Sequence, residues 1–342
     1  MKVAIWLLTT FLLTTASAQA QQPAGRVPVI GVFLPDTAAA FSTYVEAFLK
    51  GLDDLGYVVG RNILIEYRYA NGKRDRFTEL ANELVGLKVD VIVVVGGTLA
   101  AAKQATSTIP IVAATAGDLV GSGYVASLAK PGGNITGSTN IDADLSGKRL
   151  ELLKDAIPKL SRLAFLFFAG NRGDQDELKQ TRAAAQSHHV QIQSLAVKDR
   201  SEFQSAFDAM KEERAEAFII TNNSFNFAHR RLVFELATRY RLPSMCGRDA
   251  FVEHGCLSSY AASRRDAFRR AAYFVDKILK GVSPADLPVQ QPTKFELVIN
   301  LKSAKQTGLV IPPNVLAQSG SGDQMTVSRE QSAVSSKNKE IA

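Results

Sequence analysis

A glycine turn with a threonine, Gly96-Gly97-Thr98, could bind a small ligand through groups typical of anion sites. The turn follows the apolar run VIVVV and precedes the alanine-rich run LAAAKQA, a pattern that predicts a buried strand, a tight turn and a helix. The first N–H groups and the dipole of a helix favour an anion, such as a phosphate or a carboxylate. The alternative is purely conformational, with glycine reversing the chain and Thr98 capping the helix.

The sequence does not match the common motifs for nucleotide binding or for catalysis. A phosphate loop fails because Arg149 follows Gly147-Lys148 and Asp142 stands five residues before Gly147. No G-x-G-x-x-G follows the first strand, IGVFLPD, and no G-x-S-x-G is found. The four histidines show no metal-ligand spacing, and no carboxylates stand out as an acid/base pair. We therefore expect a protein that is not an enzyme, with no catalytic residue, no metal and no cofactor.

The elements around this turn alternate along the chain. Strands are predicted at 29–34, 63–69, 91–95 and 111–113, and again at 163–168, 190–197, 217–221, 243–246 and 256–260, with amphipathic helices between them. Two such runs predict an α/β protein with two doubly wound parallel sheets, each covered on both faces. The helix at 266–280 and the strand at 295–301 are too few for a third domain. They should complete the two sheets, with the chain crossing between them more than once.

In open α/β sheets, ligands bind in loops at the carboxyl ends of the strands. The predicted ligand-binding residues are Leu34, Pro35, Asp36, Gly97, Thr98, Thr115, Gly117, Asp118, Asn140, Phe168, Asn171, Asn222, Asn223, Phe225, Gly247, Arg248 and Tyr260. We expect a ligand carboxylate at Gly97 and the Thr98 hydroxyl, and an ammonium group at Asp118. Phe168 and Phe225 should pack on an apolar or planar group. For each residue alone, a conformational role is the alternative, since Gly, Asn, Asp and Pro favour loops.

The N-terminal segment predicts that the protein is exported. Met1-Lys2, an apolar run at 3–16 and small residues before Gln21 are typical of a signal peptide at 1–20, cleaved after Ala18 or Ala20. A membrane anchor is the alternative, but the run is short for a span. Residues 316–342 lack an apolar period and should form a disordered tail.

The net charge is +7, and basic pairs at 230–231, 264–265 and 269–270 are interpreted as solvated helix faces rather than a nucleic-acid site.

The two cysteines, Cys246 and Cys256, lie ten residues apart. An exported protein could pair them. However, Cys246 should end one strand and Cys256 should begin the next, and these are opposite ends of neighbouring parallel strands. This placement argues against a disulfide.

Several segments in order carry a resemblance to a known family: GLDDLGYVVGRNILIEYRYANGKRDR, LKVDVIVVVGGTLAAAKQATSTIPIV, GDLVGSGYVASLAKPGGNITGSTN, LSGKRLELLKDAIP, ADLPVQQPTKFELVINLKSAK and TGLVIPP. They closely resemble the ABC-transporter substrate-binding protein family, and more narrowly its tryptophan/aromatic amino acid-type branch, over almost all of 27–313. Leu99 and Leu119 stand where the family commonly has proline.

The resemblance implies a type I periplasmic binding-protein fold, with a three-crossover hinge and a ligand in the cleft. Lobe 1 would comprise 27–138 plus about 262–290, and lobe 2 would comprise 139–261 plus about 291–315. It further implies a monomer in the periplasm that captures an amino acid or an aromatic or carboxylate compound. Its partners would be a permease and an ATPase at the inner membrane, with no nucleic acid. A sensor component and an exported enzyme on the same fold are the alternatives.

Overall fold

The computed structural model describes residues 26–318, so the predicted signal peptide and residues 319–342 of the predicted tail lie outside it. The strands are β1 Val29–Leu34, β2 Leu64–Tyr69, β3 Val91–Val95, β4 Ile111–Ala116, β5 Ile135–Thr139, β6 Arg162–Phe168, β7 Gln191–Val197, β8 Ala217–Ile220, β9 Ser244–Cys246, β10 Ser258–Ala262 and β11 Phe295–Ile299. The helices are α1 Ala38–Asp54, α2 Phe77–Gly86, α3 Thr98–Ala105, α4 Ser146–Ala156, α5 Arg172–Ser187, α6 Glu202–Glu212, α7 Ser224–Ala228, α8 Arg230–Tyr240, α9 Arg264–Leu279, α10 Leu301–Thr307 and α11 Pro313–Gln318. Short 3₁₀ turns span Arg74–Arg76, Asp249–His254 and Pro284–Asp286.

The first sheet has the strand order β2-β1-β3-β4-β5, and its strands are parallel. Every residue of β3 is buried, because helices cover both faces of the sheet. Phe41 of α1 and Phe268 of α9 pack on one face. Phe77 of α2 and Leu99 of α3 pack on the other. We call this unit lobe 1.

The second sheet has the strand order β11-β10-β9-β8-β6-β7, and only β11 runs antiparallel to its neighbour. Leu150 of α4 and Leu178 of α5 pack on one face. Phe207 of α6 and Phe234 of α8 pack on the other. We call this unit lobe 2.

The chain passes between the lobes three times. It leaves lobe 1 after β5, returns between β10 and α9, and leaves again before β11. Helix α9 packs against α1 and the first sheet, and Gln290 pairs with Ser138 at the end of β5. The predicted fold class, two parallel-sheet α/β lobes joined by three crossovers, is confirmed. In the described range, no helix is both long and apolar enough to span a bilayer.

Cys246 and Cys256 form a disulfide, so the prediction that they stay unpaired is wrong. The prediction assumed that opposite strand ends are far apart. Strand β9 has only three residues, and at about 3.3 Å per residue its ends are about 7 Å apart. Cys256 does not begin β10 either, since it lies in the turn after Gly255, two residues before the strand. The two Cα atoms are therefore only 6.6 Å apart.

Two further boundaries differ from the predictions. The helix expected at 227–240 is divided into α7 and α8, with α7 beginning earlier, where the Asn223 side chain accepts a hydrogen bond from Asn226 N–H. At the other end of the chain, α11 extends to Gln318, three residues into the predicted tail. Val315 of α11 is buried against Leu257 and Ile299 of lobe 2, and this apolar contact holds the helix.

Candidate ligand-binding cleft

A cavity of about 960 Å³ lies between the lobes, at the carboxyl ends of the strands of both sheets. Twelve of the seventeen predicted residues line it: Pro35, Gly97, Thr115, Gly117, Asp118, Asn140, Phe168, Asn171, Asn222, Asn223, Phe225 and Arg248. They come together because parallel strands of one sheet end at the same edge, and the two edges face each other across the crossovers.

Five predicted residues do not line this cavity: Leu34, Asp36, Thr98, Gly247 and Tyr260. Leu34 is a fully buried core residue. Gly247 backs onto the Arg149 guanidinium, since a Cβ there would lie 3.1 Å from Arg149 Nη2. The Tyr260 ring stacks on Phe295, with centroids 6.1 Å apart. The side chains of Leu34 and Tyr260 are therefore occupied by packing within their own lobe, and Gly247, which has no side chain, packs against Arg149.

The Thr98 side chain is fully buried and closes its own turn. Its Oγ1 accepts a hydrogen bond from Val95 N–H at 3.1 Å and can donate to Phe33 O at 3.2 Å or Val95 O at 3.1 Å. The hydroxyl that we expected to bind a ligand is therefore used by the backbone. Gly97, rather than Thr98, stands at the N-cap of α3 and lines the cavity.

The lobes touch across the cleft at several points. A Cβ on Gly97 would lie 3.2 Å from Ser224 Oγ of lobe 2, so the absence of a side chain allows this close approach. Asp36 Oδ2 lies 3.5 Å from an Arg230 nitrogen in an ion pair. Tyr44 donates a hydrogen bond to Asp249 Oδ1 at 3.0 Å. The cleft is therefore closed at these points.

One wall of the cavity is aromatic. The rings of Phe168 and Phe225 stack with centroids 4.5 Å apart and planes 23° apart. Phe203 stacks behind Phe225 at 5.8 Å. Because the two lining rings are already in contact, a planar ligand group would pack against the pair and not between its members.

A second wall is built around Arg149, whose side chain is 0% exposed. Its guanidinium donates to Glu177 Oε1 at 2.8 Å, to Asp142 Oδ1 at 2.6 Å, to Asp142 O at 3.1 Å and to Tyr260 O at 2.8 Å. Burial raises the pKa of Glu177, and the Arg149 charge opposes this rise. These bonds tie α4, α5 and β10 to the first crossover.

This network is not among the predicted site residues, although the sequence carries one signal of it. Arg149 occupies the i, i+4, i+7 spacing of the apolar face of α4, between Leu145 and Leu152. A charged residue at such a position is buried only when it is paired. Within residues 26–318, no three side chains of His, Cys, Asp or Glu lie close enough together to hold a metal ion.

Asp174 orients two of the predicted residues. Its Oδ2 accepts hydrogen bonds from Phe168 N–H at 2.9 Å, from Thr221 Oγ1 at 2.7 Å and from Asn223 Nδ2 at 2.6 Å. Burial raises the pKa of Asp174 to about 6, although the three hydrogen bonds oppose the rise. The carboxylate thereby joins the ends of β6 and β8 beside the cavity.

Arginines form a third feature of the cleft. Arg248 and Arg264 both line the cavity, and burial together with the Arg264 charge lowers the pKa of Arg248 to about 9. Arg230 pairs with Asp36 of the opposite lobe. The interpretation as solvated helix faces therefore holds for Arg231 and Arg265, which are exposed, but is wrong for Arg230 and Arg264.

Residues 30–322 match the sequence model of the family described as ABC transporter substrate binding protein. This chain belongs to that family. A curated relative, the tyrosine-binding protein of Clostridioides difficile, is 26% identical over 262 residues, which are 76% of this chain and 75% of the relative. The predicted family and the predicted solute-binding role are confirmed, and the relatives are substrate-binding proteins rather than enzymes.

Two solved structures show the same fold as this substrate-binding protein. The ABC domain in complex with L-Trp from Streptococcus pneumonia has a TM-score of 0.79 at 23% identity, covering 86% of this chain and 99% of that one. A ligand-free, open substrate-binding protein from Clostridium difficile has a TM-score of 0.65 at 23% identity, covering 84% of this chain and 97% of that one.

Proposed function

We propose that this substrate-binding protein is the periplasmic component of an ABC importer and captures an amino acid, or another aromatic or carboxylate compound, between its lobes. The observation that carries the proposal is the cavity of about 960 Å³, which is shared by both lobes and has aromatic and charged walls. Ligand pockets of about 300–1,000 Å³ suit small organic solutes. The names of the relatives, which include tyrosine and tryptophan as ligands, favour an aromatic amino acid.

The twelve lining residues would form the ligand site. The stacked pair Phe168 and Phe225 offers a flat apolar surface for a ring. Asp118 Oδ1 accepts hydrogen bonds from Val120 and Gly121 N–H, so this turn holds the carboxylate in place for a ligand ammonium group. Gly97 presents backbone at the start of α3 and would let a polar ligand group approach closely.

Transport would use the motion of the two lobes. The segments 27–138 and about 262–290 would move as one body, and 139–261 and about 291–315 as the other, about the three crossovers. The closed form would be presented to a permease and an ATPase at the inner membrane. The binding protein would act as a monomer, without nucleic acid and without turning over its solute. Cleavage after Ala18 or Ala20 would release it into the periplasm.

A thermal-shift screen of the purified mature chain tests the proposal. The panel contains L-tyrosine, L-tryptophan, aromatic carboxylates, nucleosides and sugars, and mass spectrometry checks each solute for turnover. At 100 times its dissociation constant, a true ligand adds about 2.7 kcal/mol, which corresponds to roughly 4 °C in Tm for a protein of this size. Stabilisation by only nucleosides or sugars, or conversion of a bound solute to product, would contradict the proposal. Cell fractionation checks the periplasmic location.

A further inference from the structure

We propose that Arg248 is the receptor for an anionic group of the ligand, a carboxylate in the case of an amino or aromatic acid. This inference rests on the proposed solute-binding function and replaces the expected contact at Thr98. Arg248 lines the cavity from the carboxyl end of β9, and its side chain is only 5% exposed. A buried cation in a ligand cleft needs a counter-charge or a full set of hydrogen bonds.

The hydrogen bonds of Arg248 are incomplete within the described part of the chain. Its Nε and Nη2 are buried without a hydrogen-bond partner. The neighbouring carboxylate, Asp249, is already engaged through Oδ1 by Tyr44 OH and Ala250 N–H. Arg149, which is fully buried and does not line the cavity, provides the contrast, because its three guanidinium nitrogens all donate to acceptors of the protein. Among the described residues, the protein thus satisfies every guanidinium nitrogen of Arg149 but leaves Nε and Nη2 of Arg248 without an acceptor.

The shape of the site favours a carboxylate. The Nε–H and one Nη–H of a guanidinium point in parallel along one edge and match the two oxygens of a carboxylate. The Phe227 ring covers the face of Arg248, with the guanidinium carbon 3.5 Å from the ring centroid. The N–H groups of a guanidinium lie in its plane, so a ring on its face does not block hydrogen bonds along its edges.

A bound anion would also favour closure of the cleft. Arg248 belongs to lobe 2, while Arg264, which also lines the cavity, begins α9 of lobe 1. Nε of Arg264 likewise has no partner among the described residues. The two like charges oppose lobe closure, and a negative ligand group between the lobes would offset this repulsion. Phe41 of lobe 1 lies 5.8 Å from the Arg248 guanidinium, so separation of the lobes would uncover this side of the site.

Matched acids and amides test the proposal by calorimetry: L-tyrosine against L-tyrosinamide, L-tryptophan against L-tryptophanamide, and 4-hydroxyphenylacetate against its amide. The proteins are wild type, Arg248→Gln and Arg200→Gln, a control at an exposed position of lobe 2. We expect the acid to lose about 10- to 100-fold in affinity in Arg248→Gln, as for a lost charged hydrogen bond, and each amide to be similarly weak in wild type. Arg200→Gln should bind as wild type does. Equal binding of acid and amide, or full affinity in Arg248→Gln, would overturn the proposal.

A second measurement separates this inference from the proposed function. Sodium acetate should raise the Tm of wild type more than sodium chloride of equal ionic strength, and this difference should vanish in Arg248→Gln. If no acid or amide of the panel binds, the amino-acid proposal fails, and the acetate response alone decides whether the anion site exists. An identical response in both proteins would refute it. Should Arg248→Gln not fold, Arg248→Lys and Arg264→Gln take its place, each with the same expected loss of acid binding.

Discussion

Replacing Arg149 by methionine should destabilise this substrate-binding protein strongly. The substitution removes the four hydrogen bonds that Arg149 donates and leaves Glu177, only 3% exposed, without its counter-charge. Removal of one member of a buried ion pair typically costs about 3–5 kcal/mol. For a protein of this size, that corresponds to a decrease in Tm of roughly 5–8 °C.

The stability of the Arg149→Met variant should depend on pH, because Glu177 can lose its uncompensated charge by taking up a proton. Burial raises its pKa in the folded state, and loss of Arg149 removes the opposing effect. Between the ordinary pKa of 4.5 and the raised value, the folded state binds more protons than the unfolded state, so stability falls as pH rises. The Arg149→Met variant should therefore be less stable at pH 7 than at pH 5.

Urea unfolding followed by circular dichroism at pH 5 and pH 7 measures this. Lys148→Met is the matched control, since Lys148 pairs with Glu151 at 2.8 Å but the two side chains are 39% and 47% exposed. Its effect should stay within about 0.5 kcal/mol. Adding Glu177→Gln to Arg149→Met should recover part of the loss. A cost below about 1 kcal/mol at pH 7, or no recovery in the double variant, would refute the reasoning.

Three more predictions concern the fold around the cleft. Thr98→Ala should lower the apo free energy of unfolding by about 1–3 kcal/mol, because Val95 N–H loses its acceptor; an unchanged urea midpoint would speak against this. Replacing both Cys246 and Cys256 by alanine opens a short loop and should cost about 2–3 kcal/mol by the same assay, and reduction of wild type should have a similar effect. The free energy of unfolding of Asp174→Asn should rise relative to that of wild type by up to about 3 kcal/mol between pH 4 and pH 7. The reason is that the pKa of Asp174 is raised from 3.8 to about 6, so its ionisation over this range destabilises folded wild type. Parallel pH profiles of the two proteins would contradict this.

The sequence alone determined the lobes and the edge of each sheet at which the cleft lies. Runs such as VIVVV at 91–95 indicate strands buried on both faces, and such strands require helices on both sides. Parallel strands end at one edge of their sheet, so loop residues as far apart in lobe 1 as Pro35 and Gly117 are expected together, and the structure places both at the cavity. These inferences needed only periodicity and the direction of the strands.

Only the tertiary structure decided which atoms meet. Thr98 and Gly97 are neighbours in one turn, yet the Thr98 side chain is buried and Gly97 faces the cavity. Composition does not encode this difference in orientation within the loop. The disulfide depended on β9 being three residues long. Arg248 and Arg264 approach each other only because three crossovers place two lobes face to face. Sequence patterns report burial within one element, whereas contacts between lobes depend on the placement of whole bodies, which no local pattern records.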